Sequence, residues 1–177
     1  MKKRPLMCLL AAAVGSLCLA AGGAAARTLL AEAAEMAVIT HPQNSDEARL
    51  LVRFDMPRVL EGSALDFACV SFRADCEAEE GAVWFQAFAV STEWSDETVG
   101  WSMPWENPGG DWDSALSALG TSETGTGKTV YLDVTDFANG WLKQPSGNFG
   151  IIVKVSGPFL GNFSPDELRT PTMTILY

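Results

Sequence analysis

The chain has 177 residues, 47% of them hydrophobic, with six Trp and nine Phe, and its 12 Lys+Arg against 22 Asp+Glu give a formal charge of −10. That much apolar material supports one globular domain with a packed core and excludes a disordered tail or a collagen-like fibre. The acidity excludes nucleic acid as a partner and disfavours polyanionic surfaces, because no basic stripe is present to displace counterions from phosphates.

Lys2, Lys3 and Arg4 precede an uncharged, Leu- and Ala-rich stretch from Pro5 to Ala26 that closes on Ala24-Ala25-Ala26. A basic start, an apolar middle and a small-x-small end read as a secretory signal, residues 1–26, cleaved from the mature chain. A membrane anchor is the alternative, since 22 uncharged residues just reach across a bilayer, but Gly15, Gly22 and Gly23 dilute the segment. Leu17 before Cys18 and Met7 before Cys8 argue against a lipoprotein cysteine, and no membrane insertion is expected after cleavage. Cleavage removes three cations and no acid, so nine Lys+Arg face 22 acids and the charge becomes −13. Two of the four cysteines leave as well, so Cys69 and Cys76 remain.

Residues 27–34 (RTLLAEAA) read as a flexible or helical lead-in to a domain over residues 35–177. Glu35 to Thr40 (EMAVIT) is the first strand candidate. Arg49 to Asp55 alternates Leu50, Val52 and Phe54 against Leu51, Arg53 and Asp55, as a half-buried strand does. Ser63 to Arg73 and Gly81 to Val90 are long and apolar and read as a hairpin joined through DCEAEEG, with Trp84 in the core. Thr98 to Trp101 is a short strand candidate, and Ser102 to Thr126 reads as long loops with one helical turn at Asp113 to Leu119. Lys128 to Val134, Asn148 to Ser156 and Thr170 to Leu176 complete the strands. One helix lies among them: Asp133 or Thr135 caps it, Phe137, Trp141 and Leu142 share a face, and Pro145 and Gly147 stop it. Many short strands, one helix and no βα alternation indicate an all-β chain, an antiparallel sandwich of jelly-roll type.

An exported, oxidising setting invites a Cys69–Cys76 disulfide. Seven residues of extended chain span about 23 Å, whereas bridged Cα atoms lie within about 7 Å, so the chain must fold back between them. A tight turn at Phe72-Arg73 lacks turn chemistry; a looser bend at Ala74-Asp75 permits the bridge. The bridge and a buried Cys69 with a loop Cys76 both stay open.

The order of motifs resembles a known family. The run LLVRFDMPRVLEGSALDFACVSFR resembles the "LRFD…L…A.L.L" opening of the DNRLRE-type domain, also called carbohydrate-binding module family 96. STEWSDETVGWSMPW then stands where that family has "W.E.TVTW…P". YLDVTDFANGWLKQPSGNFGIIVK is similar to its "WDVTD.V..WL.G…N.G..L" unit, and NFSPDELRTPTMTILY to its closing strand. The family's Asn-Tyr-Gly loop before "LRFD" is missing, since only HPQNSDEA separates EMAVIT from RLLVRFD. The resemblance covers residues 35–177 and implies a β-sandwich from a secreted or cell-surface protein, extracellular or periplasmic. It implies a polysaccharide or cell-surface glycan as ligand, or another envelope protein as partner.

The residues supply such a ligand with chemistry. Saccharide recognition needs flat aromatic faces for C–H surfaces and carboxylates or amides for hydroxyls. GWSMPWENPGGDWD holds both, in Trp105 and Trp112 with Glu106, Asp111 and Asp113. Trp105 and Trp112 either face a ligand or form a lid over one end of the sandwich, whereas Trp94, Trp101 and Trp141 match family landmarks and read as core anchors. Asp111 and Asp113, with Glu106 or Asp96, also offer oxygen ligands for a structural calcium ion, though their spacing matches no calcium loop. No other cofactor is indicated. Enzyme readings lack parts: His41 is the lone histidine, and no G-x-S-x-G or C-x-x-C motif accompanies it. Ser122 takes the place of the first glycine of a P-loop before GTGKT, where a strand follows rather than a helix. No carboxylate pair is singled out for glycoside hydrolysis. The expectation is a non-catalytic glycan-binding module, with a structural or assembly module of a surface complex as the alternative.

Overall fold

A computed structural model describes residues 26–77, 82–123, 125–156, 160–162 and 170–177. The signal reading of residues 1–26 therefore falls, but for Ala26, outside the described residues. Ten strands among the described residues form two antiparallel sheets: β1 (Thr28–Glu32), β2 (Glu35–His41), β3 (Asn44–Arg53), β4 (Phe67–Glu77), β5 (Ala82–Val90), β6 (Trp112–Glu123), β7 (Gly125–Asp133), β8 (Ile151–Ser156), β9 (Leu160–Asn162) and β10 (Thr172–Leu176). The first sheet runs β1-β10-β4-β7, with β9 on the far end of β4, and the second runs β2-β3-β8-β5-β6. The pairs β1/β10, β3/β8, β4/β7 and β5/β6 nest one inside another along the chain. A long hairpin wrapped in this way into two facing sheets is a jelly roll, as its many short antiparallel strands led us to expect.

Period-two alternation places the core. Leu50, Val52 and Phe54 point between the sheets with Val83, Phe85 and Ala87 of β5 and Val130 and Leu132 of β7. The helix α1 (Thr135–Lys143) closes one end, with Phe137 and Trp141 buried and their rings stacked 6.2 Å apart. The cap expected at Asp133 or Thr135 is corrected: Val134 stands at the N-cap and no side chain caps it, while Asp133, one residue outside, accepts the Thr135 backbone N–H on Oδ1 at 3.0 Å.

Four local expectations are corrected. Residues 27–34 are not a flexible or helical lead-in, because β1 pairs residue for residue with β10 from Thr28–Leu176 to Glu32–Thr172. The two long apolar runs do not form a hairpin. β4 lies in the first sheet and β5 in the second, and they stack through their apolar faces, with Phe72 and Phe85 meeting edge to face at 5.8 Å. Thr98 to Trp101 is a turn held by a Gly100–Met103 bridge. The turn expected at Asp113 to Leu119 is part of β6, where a bulge in the pairing with β5 lets Asp113 Oδ1 take the Ala115 N–H at 2.8 Å.

The same strand geometry removes the disulfide. Cys69 and Cys76 stand on one continuous strand, β4, with no return bend between them, and Cys69 is a free thiol. Burial pushes its pKa up; the carboxylate of Asp133, its cross-strand neighbour, adds to that, against a hydrogen bond from the Leu132 backbone.

Candidate functional site

The outer face of the second sheet is where the Trp-rich segment goes. Ile39, Leu51, Phe88 and Ile152 point out of the sandwich here, on the side opposite the main core. An apolar sheet face left in water is costly, and residues 91–111 fold across it as a roof. Trp94 and Trp105 pack down onto these side chains, and Trp101 joins from the edge. Each buried indole keeps a polar partner, since Trp94 Nε1–H donates to the Phe149 carbonyl at 2.7 Å and Trp105 Nε1–H to the Gly100 carbonyl at 2.8 Å. The roof ends in Gly109 and Gly110, both with positive φ, where the chain passes close over Arg49 and Ile152.

This placement corrects one expected site residue and divides the others. Trp105, at 7% exposure, is a lid over the outer face and presents no face to a ligand. Glu106, Asp111 and Trp112 do come together, around an open basin of about 480 Å³ at the end of the roof. Ser91, Thr92 and Asn107, which were not singled out from the sequence, complete its lining above Gly110. Asp113 is exposed but engaged in its own bulge, and it does not line the basin.

Asp111 organises the basin. Its carboxylate accepts the backbone N–H groups of Glu106 at 2.7 Å and Asn107 at 2.9 Å, the Asn107 side-chain amide at 3.0 Å and the Thr92 hydroxyl at 3.1 Å. Burial alone would raise its pKa; the four donors outweigh that and hold the carboxyl below its ordinary value. A carboxylate so occupied clamps a loop and is poorly placed to bind a cation. Among the described residues no group of three or more His, Cys, Asp or Glu is arranged for a metal, so the calcium reading has no geometry behind it.

Trp112 forms the wall. Its ring lies tilted on Phe88 at 5.5 Å, with the Arg49 guanidinium 5.1 Å and the Lys154 ammonium 5.5 Å from its centroid. Arg49 is fully committed: it donates to the Gly109 carbonyl at 2.6 Å, pairs with Glu47 at 2.9 Å and also covers Trp101 at 4.5 Å. His41 packs edge to face on Trp101 at 4.9 Å, and its Nδ1 accepts the Gln43 N–H, so it serves the roof.

Trp84 reverses its expectation. Val83 and Phe85 are fully buried, and the intervening indole points outward from the sheet, 50% exposed. Its partner in the alternation, Gln86, was the available signal, because Trp84 and Gln86 share one face and an amide belongs outside. The Trp94 and Trp141 expectations hold, both indoles being buried.

No protein-family model matches the chain, and no curated protein matches it. The likeness of its motifs to the DNRLRE-type domain therefore stands as a resemblance alone. No helix among the described residues is long and apolar enough to cross a membrane.

Proposed function

We propose that this protein is an exported, non-catalytic glycan-binding β-sandwich of the DNRLRE type, and that the basin beside Trp112 holds the ligand. The observation that carries the reading is the basin's composition. One indole wall stands beside the Ser91 hydroxyl and the Glu106 carboxylate, with the Thr92 oxygen and the second Asn107 amide N–H left over from their bonds to Asp111, on a loop fixed in advance by that carboxylate. Such a surface offers a C–H platform and hydrogen-bonding groups without loss of loop entropy on binding. The acidity of the chain favours neutral glycans over anionic ones. Titration of intrinsic Trp fluorescence against a panel of neutral and acidic polysaccharides tests this. Binding that Trp112→Ala and Glu106→Ala each weaken supports the basin; silence across the panel removes the proposal.

A role in a surface assembly has its own observation. Leu30 and Tyr131 are both more than half exposed on the outer face of the first sheet, far from the roofed side. Self-association on a sizing column that Tyr131→Lys abolishes would favour it.

A further inference from the structure

The roof covers only part of the second sheet's outer face. Beyond it lies an uncovered band in which Trp84 is 50% and Leu119 60% exposed. Pairing places Trp84 opposite Thr121 and Gln86 opposite Leu119, while Gln86 also faces Lys154 on β8. Lys154 joins this band to the basin: its half-buried stem carries the ammonium to 5.0 Å from the Phe88 ring centroid and 5.5 Å from that of Trp112. Among the described residues no carboxylate pairs with it. Nor is there an acid among Trp84, Gln86, Leu119, Thr121 and Lys154, in a chain with 22 acids. From Val90, opposite Trp112, back to Trp84 is six residues of β5, about 20 Å.

We propose that this band and the basin form one continuous track for a glycan chain, with Trp84 as the far stacking platform. The inference rests on the glycan-binding reading of the basin and extends it, naming the ligand as a polymer bound over several sugar units. A pyranose ring lies with its C–H face on Trp84 and on the Leu119 side chain. Its hydroxyl and ring oxygens accept from Lys154, which has no carboxylate partner among the described residues, and bond to the Thr121 hydroxyl. A protein partner fits the same band less well. Its two apolar side chains are separated by polar ones and fall far short of the several hundred Å² that mark a protein-docking patch.

The test is calorimetric titration of the whole protein with the cello-, xylo-, manno- and laminari-oligosaccharides from disaccharide to hexasaccharide, together with their parent polymers. A continuous track makes affinity climb by about tenfold or more with chain length, because the second contact becomes intramolecular once the first is made. Trp84→Ala then flattens that climb and leaves the shortest ligands unchanged, whereas Trp112→Ala lowers affinity at every length. Leu119→Lys, on an exposed strand position that tolerates charge, repeats the Trp84 result without removing an aromatic from the sheet. Basin-dependent binding with the same length dependence in wild type and Trp84→Ala overturns the track and leaves the basin reading intact. Absence of binding by every one of these glycans overturns the track, and silence of the acidic polysaccharides as well removes the basin reading; a Trp84-dependent dimer that excludes glycan from the band overturns the track alone.

Discussion

The two halves of the second sheet's outer face are built from the same strands and differ in what lies above them. Over Ile39, Leu51, Phe88 and Ile152 the chain supplies residues 91–111, and two indoles are sunk in a second small core. Four residues along β5 from Phe88 the face is bare, and Trp84 and Leu119 meet water beside Gln86, Thr121 and Lys154. Burial here follows from whether a loop returns over the sheet, and residue type alone does not decide it. One half is thereby rigid and stabilising, the other accessible, and the Trp112 basin marks the line between them.

That contrast breaks most visibly at Trp105. Trp105→Ala removes a buried indole from the roof and opens a cavity in the outer-face cluster, which costs about 3–5 kcal/mol in chemical denaturation. A loss below about 1 kcal/mol would mean the roof is not a core at all. Gly110→Ala strikes the same region through the backbone. With φ at +116° and a Cβ that would fall 2.6 Å from Ile152 Cδ1, the variant loses about 1–3 kcal/mol, read as a lower melting midpoint.

How much of this was legible in the sequence depends on which interactions decide each part. The alternation of Leu50, Val52 and Phe54, the helix around Phe137 and Trp141 and the all-β architecture follow from local periodicity, and they stand as expected. Sheet membership is not local: β4 and β5 both read as apolar strands, and only the completed wrap decides that they stack instead of pairing. The segment SALSAL misleads for a related reason. Its small and leucine residues suit a helix turn, yet the open edge of β5 claims them as a strand. In the site, Glu106, Asp111 and Trp112 were found because loop carboxylates next to indoles carry a chemical signal. Ser91, Thr92 and Asn107 were missed because nothing distinguishes a lining hydroxyl or amide until the loop is folded.

A smaller effect is expected where the roof meets the basin. Asp111→Asn weakens the charge-assisted bonds to Glu106 and Asn107 and costs about 1 kcal/mol. Because the folded state lowers the Asp111 pKa, its contribution is present above the ordinary carboxylate range and is lost as pH falls through the folded value. Stability of the wild type should therefore decline more steeply on acidification than that of Asp111→Asn, by an amount that solvent screening keeps small. Parallel melting curves across acid pH would show that the clamp is electrostatically idle.

The least destabilising change is the one at Trp84. An indole that is half in water and absent from both cores gives up little when truncated, so Trp84→Ala shifts stability by less than about 1 kcal/mol. Measured beside Trp105→Ala in one denaturation series, it separates the two halves of the face directly. Comparable losses at the two positions would mean that something covers Trp84 after all. A large gap between them would mean that the fold draws little stability from the exposed indole, which leaves its face open to a ligand.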